Sequence, residues 1–175
     1  MKIGTVGFVV PSSYYGATIF GAKIIFLDVD SETLNLSIED LEKNIDNIDI
    51  LIVVHFFGNT NDMNRICLLA EKNNVKIIED CSHAHGATIG QKNVGSFGDI
   101  SVFSLQGSKA VSGGEGGIAL SNSEEYFKRL VQFGHQDKRR YDLPSKDYLH
   151  FGIGHKLRMH PLAAELSRVE LRLLE

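Results

Sequence analysis

At 175 residues, with 43% hydrophobic and 23% charged side chains, the chain has the make-up of one ordinary globular domain with a real core and is too short for two large ones. A formal net charge of -4 gives no electrostatic case for nucleic acid or an anionic membrane, and no apolar run is long enough to span a bilayer. Two cysteines, Cys67 and Cys81, cannot build a disulfide framework, and with no signal-like N-terminus they point to the reducing cytoplasm.

In chain order, Val6–Val10 is β-branched and ends at Pro11, which predicts a short buried strand and a turn. Ser12 or Ser13 is placed to cap a brief helix that Gly21 stops, and Lys23–Leu27 (KIIFL) reads as a second strand ended by the acidic DVDSET. Ser37 with Asp40 makes a capping-box-like start, followed by Ile38, Leu41 and Ile45 at helical spacing. The run ILIVV within Ile48–Phe57 has the continuous apolar character of a strand covered on both faces. Asn61 or Asp62 then opens a helix with Met63, Ile66, Leu69 and Ala70 on its apolar side, and Val75–Ile78 is the next strand. Ile100–Ser104 and Gly117–Ser121 read as further strands, and Ser123–Phe133 as an amphipathic helix. Residues 134–160 are polar, carry Pro144 and the basic cluster Lys138-Arg139-Arg140, and read as mostly loop; Pro161 opens a helix expected to run to the end of the chain. The alternation of strands and helices from residue 6 to residue 80 predicts an α/β fold with three layers, α/β/α, around a mainly parallel sheet.

In open α/β sheets ligands bind beyond the carboxyl ends of the strands. The residues there are Pro11–Tyr15, Asp28–Asp30, His55–Gly58, Glu79–His85 and Ser104–Lys109 with the turn after it. Asp80, next to a buried strand, needs a cation or hydrogen bonds, or else caps a helix or bridges loops. Lys109 lies between two strand-like runs, where an amine partly withdrawn from water suits Schiff-base chemistry, although a loop lysine is ordinarily a surface residue. The glycines around Glu115 match neither G-x-G-x-x-G nor G-x-x-x-x-G-K-[ST], so no dinucleotide or Walker loop is supported. Cys81, His83 and His85 lack a second cluster at metal-site spacing, and Ser104 with Asp80 and either histidine lacks the G-x-S-x-G elbow of a hydrolase. Neither a metal centre nor a hydrolytic triad is therefore expected. A carboxylate, a histidine, a hydroxyl and an amine at strand ends are together what pyridoxal 5'-phosphate uses.

EDCSHAHGA, VGSFGDISVFSLQGSKAVSGGEGG, GAKIIFLDVDSETLNL, VVHFFGN and GHKLRMHPLAAEL resemble the DegT/StrS-type (DegT/DnrJ/EryC/StrS) sugar aminotransferases over nearly the whole chain. These are fold-type I pyridoxal-phosphate enzymes acting on keto-sugars, usually nucleotide-linked. The resemblance implies that Lys109 forms the Schiff base and moves the proton, Asp80 pairs with the pyridine nitrogen, and His83 lies near the 3-hydroxyl. It places Ser104 at the phosphate, and Tyr15 at or next to the aromatic that stacks on the ring. It further implies glutamate or glutamine as amino donor, a keto-sugar acceptor in cell-surface polysaccharide or amino-sugar biosynthesis, and a homodimer. Relatives that dehydrate sugars carry histidine in place of Lys109, so this sequence sides with transamination. Residues 1–134 then correspond to a partial large domain, 135–160 to an irregular segment and 161–175 to the start of a helix leading to a small domain.

Departures from the family pattern are a missing G-T-x-A-L-type phosphate segment, a short interval between Pro11 and Gly21, and Lys156 in place of an asparagine that reaches the partner's phosphate. They motivate a second reading, a truncated and inactive remnant that serves only in binding or structure.

Overall fold

The structure, a computed structural model, describes residues 1–134 and 155–174. Strand β1 (Lys2–Val6) leads through helix α1 (Ser12–Ile19) to β2 (Lys23–Leu27), then α2 (Ile38–Asn44), β3 (Ile50–Val54), α3 (Met63–Lys72) and β4 (Lys76–Asp80). A two-residue hairpin, β5 (Thr88–Ile89) with β6 (Lys92–Asn93), precedes β7 (Ile100–Ser104), β8 (Gly117–Leu120), α4 (Glu124–Gly134) and α5 (Pro161–Arg172). The main sheet runs β2-β1-β3-β4-β7-β8. Its first five strands are parallel and β8 joins the edge antiparallel to β7. The expected α/β architecture with a mainly parallel sheet is the one observed.

Helices α2 and α3 start where side chains satisfy their free amides. The Ser37 hydroxyl accepts from the Asp40 amide at 3.3 Å, and the Asp62 carboxylate from the Arg65 amide at 3.1 Å. Both helices pack on one face of the sheet, where Leu41, Leu51, Met63 and Ile66 are wholly buried among Val6, Leu27, Val53 and Ile77. Each such side chain stabilises the fold by about 1.5–3 kcal/mol. On the opposite face α1 lies against β2 and β3, and Tyr14 meets Phe26 edge-on with ring centroids 5.4 Å apart.

Three expectations are corrected. The first strand is Lys2–Val6, and the apolar stretch after it leaves the sheet, with Phe8 and Val10 each 49% exposed. Gly4 lies inside this strand, where a Cβ would stand 2.6 Å from the Ile48 side chain. Helix α1 has Pro11 at its N-cap with no side-chain cap, so neither Ser12 nor Ser13 caps it. Helix α5 has Pro161 in its first turn as expected, but it closes at Leu173, whose amide bonds the Glu170 carbonyl. Of the expected loop, Gly134 is the last residue of α4 and residues 155–160 contain no helix or strand; residues 135–154, with the basic cluster 138–140 and Pro144, lie outside the described residues.

Candidate active site

The carboxyl ends of β3, β4 and β7 lie side by side, with Val54 opposite Asp80 and Asp80 opposite Val102 in the ladder. Beyond them opens a cleft of about 100 Å³, lined among others by Ser13, Phe56, Asp80, His83, Ser104 and Lys109. Four of the five residues singled out in the sequence thus converge on one space. Tyr15 does not line it and is 61% exposed, because α1 turns that side chain away from the sheet while the preceding Tyr14 packs on Phe26. Lys156 is exposed on the segment before α5 and is not among the cleft residues.

Each polar group of the cleft is held by a short local device. Asp80 is buried; its Oδ1 accepts from the Ser82 amide at 3.0 Å and its Oδ2 from the Ser13 hydroxyl at 2.6 Å. Lys109 closes a tight turn after β7 in which its amide bonds the Gln106 carbonyl at 2.9 Å. Gln106 Oε1 braces that turn by accepting from both the amide and the hydroxyl of Ser108. The half-buried Lys109 amine has no carboxylate or hydrogen-bond partner among the described residues. Behind the turn Gly114 takes φ +85°, and a Cβ on Gly113 would come within 2.6 Å of the Ala163 carbonyl of α5.

His83 packs against Phe56 and Phe57, and its Nδ1 accepts from the Phe57 amide at 3.4 Å. A neutral ring held that way carries its proton on Nε2. Phe57 makes this bond from a left-handed backbone, φ +53°, which is strained for a non-glycine residue. Burial holds His83 below the usual imidazole range, the nearby Lys109 charge adds to this and Asp80 opposes it. His85 is also held low, first by burial, with the Ser104 backbone opposing, although neither ring nitrogen reaches a partner in good hydrogen-bond geometry.

One residue before Asp80, Glu79 points the other way and is completely buried. Its carboxylate accepts from the amides of Gly95, Phe97 and Gly98 at 2.8, 2.7 and 2.6 Å, and its Oε2 lies 3.3 Å from His55 Nε2. His55 Nδ1 in turn accepts from the Asn61 amide, so the Nε2 proton goes to Glu79. Burial alone would raise the Glu79 carboxyl, but His55 and the three amides outweigh it and hold it below the usual carboxylate range. Cys81 Sγ completes a group of possible metal ligands within 4.8 Å of one another. The Glu79 and His55 atoms of that group are already committed to each other and to backbone amides, and burial, with Glu79 beside it, pushes the Cys81 thiol up, which makes this a structural network. Cys81, His83 and His85 form no ligand cluster among the described residues, and no histidine bonds the Ser104 hydroxyl there.

Sequence reasoning missed Ser13, read as a helix cap, and the Glu79–His55–Asn61 network. The signal for the network was present: a charged residue inside the apolar run KIIED must be met by donors.

A model of the DegT/DnrJ/EryC1/StrS aminotransferase family matches residues 5–175. Among curated relatives, the GDP-perosamine synthase of Escherichia coli O157:H7 is 36% identical over 169 residues, covering 93% of this chain and 45% of the relative. Among solved structures, an aminotransferase from Psychrobacter cryohalolentis superposes with a TM-score of 0.85 at 30% identity, over 98% of this chain and 45% of the other. A GDP-4-keto-6-deoxymannose-3-dehydratase with a trapped PLP-glutamate geminal diamine gives 0.88 at 25% identity, over 99% and 48%. The chain therefore spans just under half the length of the relatives it matches.

Proposed function

The chain belongs to the DegT/DnrJ/EryC1/StrS aminotransferase family, and from that premise we propose that the protein moves an amino group from glutamate or glutamine to a nucleotide-linked keto-sugar, with pyridoxal 5'-phosphate in the cleft. The observation that carries this reading is the Lys109 amine, unpaired among the described residues, in one cleft with the buried Asp80 carboxylate. The neighbouring buried carboxylate, Glu79, is saturated by protein donors; here an amine and the spare lone pairs of a carboxylate face the same space. That set fits the cofactor. When bound, pyridoxal phosphate supplies an aldehyde that joins an amine and a ring that takes up the electrons left as the donor carbon loses its proton.

The chain's own groups divide the remaining work. Asp80 would keep the ring nitrogen protonated, and His83 would offer its Nε2 proton to the ring oxygen. Ser104, at the end of β7, would hold the phosphate with its hydroxyl. Lys109, once released by the incoming donor amine, would carry the proton between donor carbon and cofactor. Lysine here, in place of the histidine of sugar-dehydrating relatives, supports transfer over dehydration. Two free thiols, Cys67 and Cys81, suit a cytoplasmic setting, and no helix among the described residues is long and apolar enough to cross a membrane. Completion of the site by a second copy, as a homodimer, belongs to the same reading, as does the division into a large-domain part (residues 1–134) and a helix leading onward (161–175).

The test is the visible absorption of the intact protein with pyridoxal phosphate, followed by borohydride reduction and peptide mass analysis. A band whose reduced adduct maps to Lys109 and vanishes in Lys109→Ala is the expected result, together with glutamate- or glutamine-dependent turnover of a keto-sugar nucleotide. No band in the wild-type protein sinks the reading.

A further inference from the structure

We infer that Ser13 is a positioning residue for Asp80, its hydroxyl fixing the carboxylate in the plane that the cleft requires. The inference rests on the cofactor reading for its purpose but not for its geometry. Ser13 Oγ and Asp80 Oδ2 are 2.6 Å apart across 67 positions of sequence, which makes this a charge-assisted contact between the start of α1 and the end of β4.

The ordinary role of a serine at a helix start is to cap free amides. Ser13 does not do that. The α1 N-cap position is Pro11, no side chain caps it, and the Ser13 amide already bonds the Val10 carbonyl at 3.0 Å. The hydroxyl is left free to reach across the cleft.

The other partner of Asp80, the Ser82 amide at 3.0 Å on Oδ1, comes from the turn that follows β4 and moves with it. One local bond leaves the carboxylate free to turn about its own axis. A second, on the other oxygen and from a different element, removes that freedom. Each oxygen keeps a further lone pair, so the carboxylate can still accept from a group in the cleft. The same bond ties α1 to the central strand, next to an α1 that is otherwise mostly exposed.

The experiment has two arms in the intact protein. In the first, without cofactor, urea unfolding of wild type, Ser13→Ala, Asp80→Ala and the double variant gives a coupling factor between the two side chains. A roughly ten-fold coupling in the unfolding constant is expected, and additivity overturns the contact. In the second, pyridoxal phosphate is titrated into wild type and into Ser13→Thr and Ser13→Val, an equal-shaped pair with and without the hydroxyl. Ser13→Thr should bind as wild type does and Ser13→Val roughly ten-fold more weakly. Equal binding by the pair overturns the positioning role. If wild type binds no pyridoxal phosphate, the proposed function falls, and the coupling arm alone decides whether Ser13 holds Asp80.

Discussion

The two ends of the sheet are finished differently. Around β1, β3 and β4 the chain covers its own apolar face, with α2 and α3 closing over Leu41, Leu51, Met63 and Ile66. At the other end, β8 is exposed along all four residues, and between α5 and the β7–β8 pair lies an apolar cavity of about 660 Å³. Phe103, Leu105, Ile118, Met159 and Leu171 line it, and Leu162 on α5 and Leu173 at its C-cap stand 76% and 73% exposed. The α2/α3 face of the first end is stabilised by burial that the described residues complete, although Ile19, Phe20 and Phe26 on its other face stay exposed, while the second end keeps much of its apolar surface in water. The candidate site opens between them: Asp80 comes from the closed end, whereas Ser104 and Lys109 come from the strand and turn that lead to the open one.

Leu51→Ala should separate the ends most sharply. It removes a wholly buried side chain and should cost about 2–5 kcal/mol, read from urea unfolding of this chain. A loss near zero would mean that the closed end is not the stable one. Next comes Glu79→Gln, which leaves amides of the 95–98 turn facing a neutral group and should cost about 1–3 kcal/mol at neutral pH. Its pH dependence has a definite sign. The Glu79 carboxyl is held low in the folded chain and titrates near 4.3 when unfolded. Its contribution is therefore present above about pH 4.3 and lost as the pH falls through the lower folded value. Glu79→Gln should be the less stable protein at pH 7 yet lose less on acidification, and parallel acid profiles would refute this. The smallest effect belongs to the open end: Leu162→Ser should change stability by less than about 0.5 kcal/mol, and a loss above about 1 kcal/mol would show that this face is covered.

Most of the fold was legible because its strands and helices announce themselves locally. KIIFL and ILIVV are continuous apolar runs, and Ser37 and Asp62 make the capping bonds that their positions suggest. What misled was contact at a distance. Phe8 to Val10 looks more like a strand than KIGTV does, but it is the earlier residues that pair with β2 and β3, with Gly4 lying under the Ile48 side chain. The convergence of Asp80, His83, Ser104 and Lys109 follows from the parallel sheet, which brings strand ends together, and was open to inference from the alternation alone. The Ser13 contact was not, because a bond spanning 67 positions leaves no mark on either local pattern. Tyr15 shows the same limit from the other side: motif position named the residue, but the path of the short α1 directs the ring.

Glu79 and Asp80 are neighbours of nearly identical chemistry, and the strand assigns them opposite fates through parity alone. Glu79 faces four donors that saturate it, and Asp80 faces the cleft with lone pairs to spare. If β4 shifted by a single residue against its neighbours, the two would exchange places. That slip would strand the 95–98 amides and His55 without an anion, so the saturated carboxylate works as a keyed stop. It admits only the alignment of β4 that delivers the unsaturated one to the cleft.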